Sequence, residues 1–399
     1  MNKSANNRRR SGSALGRLSI GAALMISAAL LCSCTQIGGE PEDTPRDAEL
    51  TVITYATTAP GSVYGSVNYI YEQLSDEEKC WYDELKSAAE SFSERVEYSG
   101  DIDQDTAKKV FLAVYDQEPG LFWLDSVFYP PRESSQLLKY RFGRDEAERM
   151  QEELRQVTDR IMNETAGFSD YEKILYFHDY LVRNCVFSLE GENYTVYSAL
   201  CRGYAQCEGY AFSFKYLCGL SGIDCITVTG TNAQGDTHAW NIVSLNGIWY
   251  NVDCTWDDPI LENGSEDFLR RYYLLVPDSD ILGVTHFRDD TYFTYPKCYD
   301  GSRTYFAREG FYAKSASEGI DMLEESAVKA LSEGHKDAEV RFESESDYRS
   351  AVRTLFDFGD IKRLASAALE RAGLDGSDGV TGMVRFTNDE LHIIHITFG

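Results

Sequence analysis

The chain has few positive charges, and its apolar N-terminal run is too short to cross a membrane. Its 399 residues carry 38 Lys and Arg against 65 Asp and Glu, which gives a formal net charge of −27 at pH 7. This balance argues against nucleic-acid binding, because a phosphate backbone is met by clustered Lys and Arg. The apolar run from Leu18 to Leu31 falls short of the about 20 residues that span a bilayer as a helix.

The spacing patterns of metal sites are also missing. No Cys-x-x-Cys pair and no His-x-x-x-His pair occurs in the sequence. We therefore predict no metal and no cofactor. An exported chain could form disulfides, but nothing in the sequence identifies a partner for any of its 10 cysteines, so no bridge is predicted.

The composition is that of a folded protein. Hydrophobic residues make up 43% of the chain and aromatic residues 13%, whereas disordered chains are poor in aromatics. The length allows two or three domains with a sizeable core. The acidic surplus favours solubility and neutral or basic partners.

The first residues have the pattern of a sorting signal. A basic segment from Arg8 to Arg10 precedes the apolar run, which ends in Leu31-Cys32-Ser33-Cys34. This order resembles a bacterial lipoprotein signal, in which Cys34 becomes the lipidated first residue of the mature protein. An ordinary secretory signal or a short anchor is the alternative.

The lipoprotein resemblance implies a location as well as a cleavage site. Residues 1–33 would be removed, and the polar residues 34–49 would form a flexible tether to the lipid. We therefore expect a protein outside the cytoplasm, lipid-anchored to the bacterial cell membrane.

Residues 50–135 are predicted to form a mainly helical region. Ser75 to Glu78 is a capping box, and apolar residues recur after it at helical spacing. A second helix is predicted from Gln104 to Tyr115, before the break at Pro119-Gly120. The run from Leu121 to Trp123 is interpreted as core rather than as the wall of a substrate cleft.

Two further helices are predicted before the central part of the chain. Arg144 to Asn163 carries one apolar stripe, and Ser169 to Glu172 caps the helix that follows. This second helix contains His178 next to Asp179. Adjacent helical residues point about 100° apart, so His178 is interpreted as a core histidine and not as half of a catalytic pair.

Residues 310–399 are predicted to form a small separate α+β domain. Helical and strand-like runs alternate there, and Asn388-Asp389-Glu390 is a hairpin signal between the last two strands. The predicted helices are 320–331, 348–356 and 361–372, and the predicted strands are 338–342, 379–387 and 391–398.

Cys207 is placed to be a nucleophile. It follows Gly203-Tyr204-Ala205-Gln206 and begins a run whose apolar residues fit one helical face. The free N–H groups and the macrodipole of a helix N-terminus favour a thiolate, which is the reactive form of cysteine. The backbone N–H of Cys207 could also donate to an oxyanion, whereas the second donor is not identified by the sequence.

A hairpin follows this helix. Asn246-Gly247 is a strong signal for a two-residue type I′ turn, because both positions need a positive φ. Such a turn pairs Leu245 with Ile248 and then each residue outward in step.

The pairing brings a histidine and an acid to one face of the hairpin. Counted outward, Asp253 falls opposite Trp240, and Thr255 falls opposite His238. His238 and Asp253 are then diagonal neighbours, where a carboxylate can orient an imidazole and stabilise its charged form. A slip of one residue would separate them.

These segments resemble the signature segments of the transglutaminase-like superfamily. The matching stretches are Gly203 to Ala211, His238 to Asn241 and Asp253 to Asp257. By that resemblance Cys207 is the nucleophile, His238 the general base and acid, and Asp253 the residue that orients His238.

The resemblance also implies a fold. It is specific over about Glu172 to Asp258 and implies an α+β, papain-like core, in which the helix with the cysteine packs on an antiparallel sheet. The catalytic domain is predicted over residues 136–300. The superfamily contains crosslinking transglutaminases, cysteine peptidases, peptide glycanases and inactive members, and the fold does not choose among them.

Other residues near the signature segments are weaker candidates. Trp240, Trp256 and Gln206 are expected to support the site or contact the substrate. Gln206 is larger than the residue expected before the nucleophile, and it is interpreted either as an incidental surface residue or as part of the oxyanion site. His286 is expected in a loop from which it could approach the site, but nothing in its spacing requires this, and it is interpreted as structural.

The predicted function is that of a thiol enzyme acting on amide bonds. The expected substrates are peptides, proteins or cell-wall peptides, attacked by Cys207 and released by hydrolysis. The alternatives are a crosslinking acyltransferase and an inactive scaffold that binds a surface ligand. The sequence predicts no oligomeric state.

Overall fold

A computed structural model describes residues 69–191, 193–258, 269–299, 301, 304–374 and 383–398. The predicted signal peptide, Cys34 and the tether lie outside these residues. Within them, no helix combines the length and the apolar character needed to cross a membrane. The fold is α+β, as the sequence predicts.

The N-terminal part of the described residues combines helices with short strands. The bounds are α1 Asp76–Glu90, β1 Arg95–Glu97, α2 Gln104–Gln117 and β2 Ser135–Leu137. The capping box of α1 is confirmed, since Ser75 Oγ accepts the N–H of Glu78 and the Glu78 carboxylate accepts the N–H of Ser75. The run from Leu121 to Trp123 is buried, which confirms its interpretation as core.

Two long helices lead from this part towards the centre of the fold. They are α3 Arg144–Glu164 and α4 Asp170–Asn184. The buried residues of α3 include Met150, Leu154 and Ile161, which lie on the predicted apolar stripe. The predicted capping box at Ser169 is present and begins α4.

The helix that begins with Cys207 follows a small parallel pair of strands. The bounds are β3 Val186–Phe187, β4 Tyr204–Ala205 and α5 Cys207–Leu220. Gly209 permits a close approach to the start of α5. A Cβ at this position would lie 2.8 Å from the Cβ of Ala205 and 2.9 Å from the carbonyl oxygen of Asn193. A larger residue would therefore push the start of α5 away from its neighbours.

An antiparallel sheet lies against α5. The elements of this part are β5 Cys225–Asn232, β6 Thr237–Leu245, β7 Ile248–Val252, α6 Cys254–Asp257, β8 Leu274–Val276, α7 Asp278–Ile281 and β9 His286–Arg288. The strand order is β8-β7-β6-β5-β9, and each neighbouring pair is antiparallel. α5 packs on β5 and β6, which is the predicted arrangement of a helix on an antiparallel sheet.

The hairpin between β6 and β7 has the predicted register. Asn246 and Gly247 have φ values of 54° and 77°, as a type I′ turn requires, and Leu245 pairs with Ile248. The ladder ends at Val252, however, so the prediction that Thr255 lies opposite His238 is wrong.

The side chain of Asp253 explains why the strand ends. Its Oδ1 accepts the N–H groups of Thr255 at 2.9 Å and of Trp256 at 3.1 Å, and the chain turns into α6. An Asp that caps the following residues offers the backbone an alternative to the ladder. Asp253 thus stays beside the end of β6 while the residues after it leave the sheet.

The C-terminal part has its own sheet. Its elements are α8 Tyr305–Glu309, β10 Tyr312–Ala313, α9 Ala316–Ser332, β11 Asp337–Phe342, α10 Glu345–Val352, α11 Ile361–Arg371, β12 Met383–Asn388 and β13 Ile393–Phe398. The strand order is β10-β11-β13-β12. β12 and β13 form the predicted hairpin, with Asn388 paired to Ile393.

Two large apolar clusters form the core of the described residues. The larger cluster joins the N-terminal helices to the five-stranded sheet. The second is built from residues between Ala313 and Phe398, so the C-terminal part buries its own core. The exact domain boundaries stay a prediction.

Candidate active site

The fold brings Cys207, His238 and Asp253 together. Cys207 is the first residue of α5, His238 lies near the start of β6, and Asp253 follows the end of β7. They are 6%, 4% and 1% exposed. Each sits at or next to the end of an element, and the surrounding packing holds its side chain in place.

The side chains of Cys207 and Asp253 both act on the His238 imidazole. His238 Nε2 lies 2.6 Å from Asp253 Oδ2. The Cys207 thiol also interacts with this imidazole. Since a carboxylate only accepts, Nε2 carries the proton towards Asp253, and Nδ1 is left for the thiol. This is the tautomer in which an imidazole can take a proton from a thiol.

The acid holds the histidine in its charged form. Burial by itself lowers the pKa of His238, but the charge and hydrogen bond of Asp253 and the contact with Cys207 outweigh burial and raise this pKa to about 10. Burial likewise raises the pKa of Asp253, yet the charge and hydrogen bond of His238 hold it well below its ordinary value. Around neutral pH, His238 is therefore able to exist as an imidazolium beside the thiol.

A second histidine contacts the same carboxylate. His286 Nε2 lies 2.9 Å from Asp253 Oδ2, and His286 is fully buried. The expectation that His286 lies in a loop is wrong, because it begins β9. Its contact depends on β9 pairing with the edge of β5, and no spacing in the sequence gives that pairing.

The three predicted supporting residues have different surroundings. Trp240 is buried, with its ring centroid 6.0 Å from that of His238 and its Nε1 donating to Asn251 Oδ1 at 3.2 Å. Trp256 is half-buried, and its ring centroid lies 5.8 Å from that of His238. Both rings therefore limit the orientations that His238 can take.

Gln206 is 3% exposed, so its interpretation as an incidental surface residue is wrong. Its N–H donates to the carbonyl of Asn193 at 2.8 Å, and its carbonyl accepts the N–H of Tyr210 at 3.2 Å. These two backbone hydrogen bonds join the loop around Asn193 to the first turn of α5.

Another buried histidine, His178, contacts the last residue of α6. His178 Nε2 is 3.0 Å from Asp257 Oδ2, and His178 Nδ1 is 3.0 Å from Asp179 Oδ1. The interpretation of His178 as a core residue is confirmed by its complete burial. Its contact with Asp179 belongs to a buried network, because Arg271 holds the Asp179 carboxylate at 2.6 Å and 2.9 Å in reach of the imidazole.

The spacing of His238, Asp253 and His286 fits hydrogen bonds better than a metal ion. One possible ligand atom from each lies within 4.8 Å of the others. Two ligands of a tetrahedral zinc, each at about 2.0–2.1 Å from the metal, are about 3.3 Å apart. Both nitrogens lie closer than that to Asp253 Oδ2, at 2.6 Å and 2.9 Å, which are hydrogen-bond distances.

Comparisons with known proteins identify a family for part of this chain. Residues 155–254 match the family model of the transglutaminase-like superfamily. The kyphoscoliosis peptidases of Mus musculus and Homo sapiens are 35% and 36% identical to this chain over 98 residues. Each match covers 21% of this chain and 15% of the relative, so the chain spans only a small part of the length of these relatives.

Solved structures resemble parts of the chain at low identity. A candidate cysteine protease from Cytophaga hutchinsonii is 14% identical with a TM-score of 0.26, over 38% of this chain and 56% of that one. A TGase is 12% identical with a TM-score of 0.25, over 40% of this chain and 50% of that one.

This protein contains a domain of the transglutaminase-like superfamily. The resemblance predicted from the sequence is thereby confirmed over residues 155–254. That range includes Cys207, His238 and Asp253.

Proposed function

We propose that this protein is a thiol enzyme that attacks amide bonds of peptides or proteins through Cys207, His238 and Asp253. The observation that supports the proposal most is the buried hydrogen bond between His238 and Asp253 next to the Cys207 thiol, which lies at the start of a helix. A binding scaffold does not need this arrangement, and a nucleophile with an oriented base does.

The proposed reaction begins at the sulfur of Cys207. The thiolate attacks the carbonyl carbon of the amide, and the C–S bond forms while the carbonyl π electrons move to oxygen. When the tetrahedral species collapses, the C–N bond breaks and the proton on His238 Nδ1 passes to the leaving amine. The product of this half-reaction is a thioester on Cys207 with a neutral imidazole beside it.

The second half-reaction restores the enzyme. Water or an amine attacks the thioester carbon and gives its proton to His238. The C–S bond then breaks, and Cys207 leaves as a thiolate beside the imidazolium. Asp253 stays ionised throughout and stabilises the imidazolium each time it forms.

The start of α5 supplies part of the environment for this chemistry. Cys207 is the first residue of the helix, so its N–H has no partner within the helix and can donate to the developing oxyanion. The helix macrodipole also favours negative charge at this end.

Hydrolysis is the outcome that we propose first, with crosslinking by an amine as the alternative. The two outcomes share the thioester and differ only in the molecule that attacks it. Export and lipid anchoring at Cys34 stay predictions from the sequence.

Peptide products distinguish these outcomes. We expect wild-type protein incubated with a peptide library to give new N-termini or deamidated side chains, and amine adducts when a primary amine is added, as read by mass spectrometry. The variant Cys207→Ser is expected to lose these products. Products that survive in this variant would show that another group does the chemistry.

A further inference from the structure

Asp253 Oδ2 is shared by two imidazoles. His238 Nε2 approaches it at 2.6 Å and His286 Nε2 at 2.9 Å. The rings are close, with centroids 5.3 Å apart, and His286 is fully buried. The proposed chemistry uses only His238, so it assigns no role to His286.

The partners of His286 favour one protonation state. Since the Asp253 carboxylate only accepts, His286 Nε2 carries a hydrogen and donates it. On the other side of the ring, Thr285 Oγ1 lies 2.8 Å from His286 Nδ1 and 3.2 Å from the carbonyl oxygen of Ile281. The hydroxyl has one hydrogen to give, and Nδ1 is the nearer of these two acceptors. A neutral His286 satisfies both contacts, with the hydrogen on Nε2 and a lone pair on Nδ1.

The charges around His286 also favour its neutral form. Burial lowers the pKa of His286, and the charges of His238 and Arg288 act in the same direction, while Asp253 opposes them. Arg288 is itself held by Asp278 at 2.6 Å. The groups facing the neighbouring His238 are Asp253, Cys207 and His286. The cluster therefore carries one imidazolium and not two.

We propose that His286 is a positioning residue, whose neutral Nε2–H holds the Asp253 carboxylate and limits how strongly Asp253 stabilises the His238 imidazolium. This inference rests on the proposed function of Cys207 and His238. A hydrogen bond to Oδ2 withdraws some of the negative charge that would otherwise act on His238 alone. His238 must give its proton to a leaving amine, and an imidazolium that is bound too tightly is a poor acid.

Removing the Nε2–H donor of His286 should let Asp253 stabilise the His238 imidazolium more strongly. His286→Phe keeps a ring of similar size and deletes the N–H, whereas His286→Gln keeps an N–H that can reach the carboxylate. Asp253 is ionised whether or not His238 is protonated, so His238 feels only part of the lost hydrogen bond, and that part corresponds to a shift of about 0.5–1 pH unit in the loss of the His238 proton.

The reaction of Cys207 with iodoacetate reports this shift without a substrate. Iodoacetate is an anion, so its reaction with the Cys207 thiolate slows when the neighbouring imidazolium loses its proton. The rate is measured by mass spectrometry of the Cys207 peptide at a series of pH values. In wild type we expect the rate to fall on the alkaline side, its alkaline limb, with a midpoint near pH 10. We expect it about 0.5–1 pH unit higher in His286→Phe and close to wild type in His286→Gln.

The outcomes separate this inference from the proposed function. A folded His286→Phe protein whose alkaline limb coincides with that of wild type overturns the inference. An equal shift in His286→Gln overturns it too, since the ring and not the donor would then matter.

If His286→Phe does not fold, Thr285→Val replaces it. That variant leaves the ring and removes the donor to Nδ1, so an upward shift supports the inference and an unmoved limb overturns it. A wild-type protein without any alkaline limb would instead overturn the proposed role of His238.

Discussion

Replacing Asp253 with Asn is expected to lower turnover by about 10³–10⁴-fold. The reason is the tautomer of His238. With Oδ1 still accepting from Thr255 and Trp256, the amide nitrogen of Asn occupies the position of Oδ2 and faces the Nε2 atoms of both histidines. Two donors cannot share one hydrogen bond, so His238 is driven to carry its hydrogen on Nδ1. In that form it cannot take the proton of Cys207.

The change is measured as kcat and KM on a peptide identified from the library. The expected loss lies in kcat, because Asp253 acts on the proton transfer and not on substrate binding. Asp236→Asn is the matched control, since Asp236 is exposed and lies only two residues before His238. If Asp253→Asn kept turnover within about tenfold of this control, Asp253 would have no role in orienting His238.

Replacing Asp257 with Asn is expected to destabilise the protein by about 3–5 kcal/mol. The carboxylate of Asp257 is fully buried and accepts from the N–H groups of Tyr272 at 2.8 Å and Tyr273 at 3.0 Å. It also accepts from His178 Nε2 at 3.0 Å. The Asn side chain keeps one acceptor oxygen, but its NH2 group, which is a donor, replaces the other oxygen and faces N–H donors. At least one buried polar group is therefore left without a partner.

The destabilisation should depend on pH in a defined direction. Burial lowers the pKa of His178, but hydrogen bonds and charges from Asp179 and Asp257 outweigh it and raise this pKa to about 9 from an ordinary value of 6.5. Because folding raises this pKa, the protonated His178 side chain stabilises the fold fully below about pH 6.5, and this contribution is lost as the pH rises through about 9. The difference between wild type and Asp257→Asn should therefore shrink between pH 6 and pH 9.5.

Urea unfolding at both pH values measures this difference. Asp159→Asn is the control, because Asp159 is an exposed acid on α3 whose pair with Arg155 is worth little in water. We expect the control to stay within about 0.5 kcal/mol of wild type. If Asp257→Asn lowers the free energy of unfolding no more than Asp159→Asn does, the buried contacts of Asp257 do not hold α6 in place.

Local rules predict the parts of this fold that depend on neighbouring residues. The two-residue turn at Asn246-Gly247 fixes the register of β6 and β7, since the pairing is counted outward from it. The capping boxes at Ser75 and Ser169 begin their helices as predicted, because their partners lie three residues away. The same kind of reasoning places Cys207 at a helix start.

The errors arise where a side chain or a distant strand competes with the local rule. Thr255 leaves the ladder because the Asp253 side chain captures the backbone after it. His286 reaches Asp253 only because β9 pairs with the edge of β5, which depends on the strand order of the whole sheet. Gln206 is buried by a loop whose path the sequence does not reveal.

The most direct test of the account is the rate at which iodoacetamide alkylates Cys207 at pH 7. The exposed thiol of Cys80 serves as an internal reference in the same sample. We expect Cys207 to react at least about tenfold faster than Cys80 in the wild-type protein, and we expect His238→Ala to slow Cys207 by about 10²-fold or more while leaving Cys80 unchanged. A Cys207 that reacts no faster than Cys80, or that keeps its rate in folded His238→Ala protein, would contradict it.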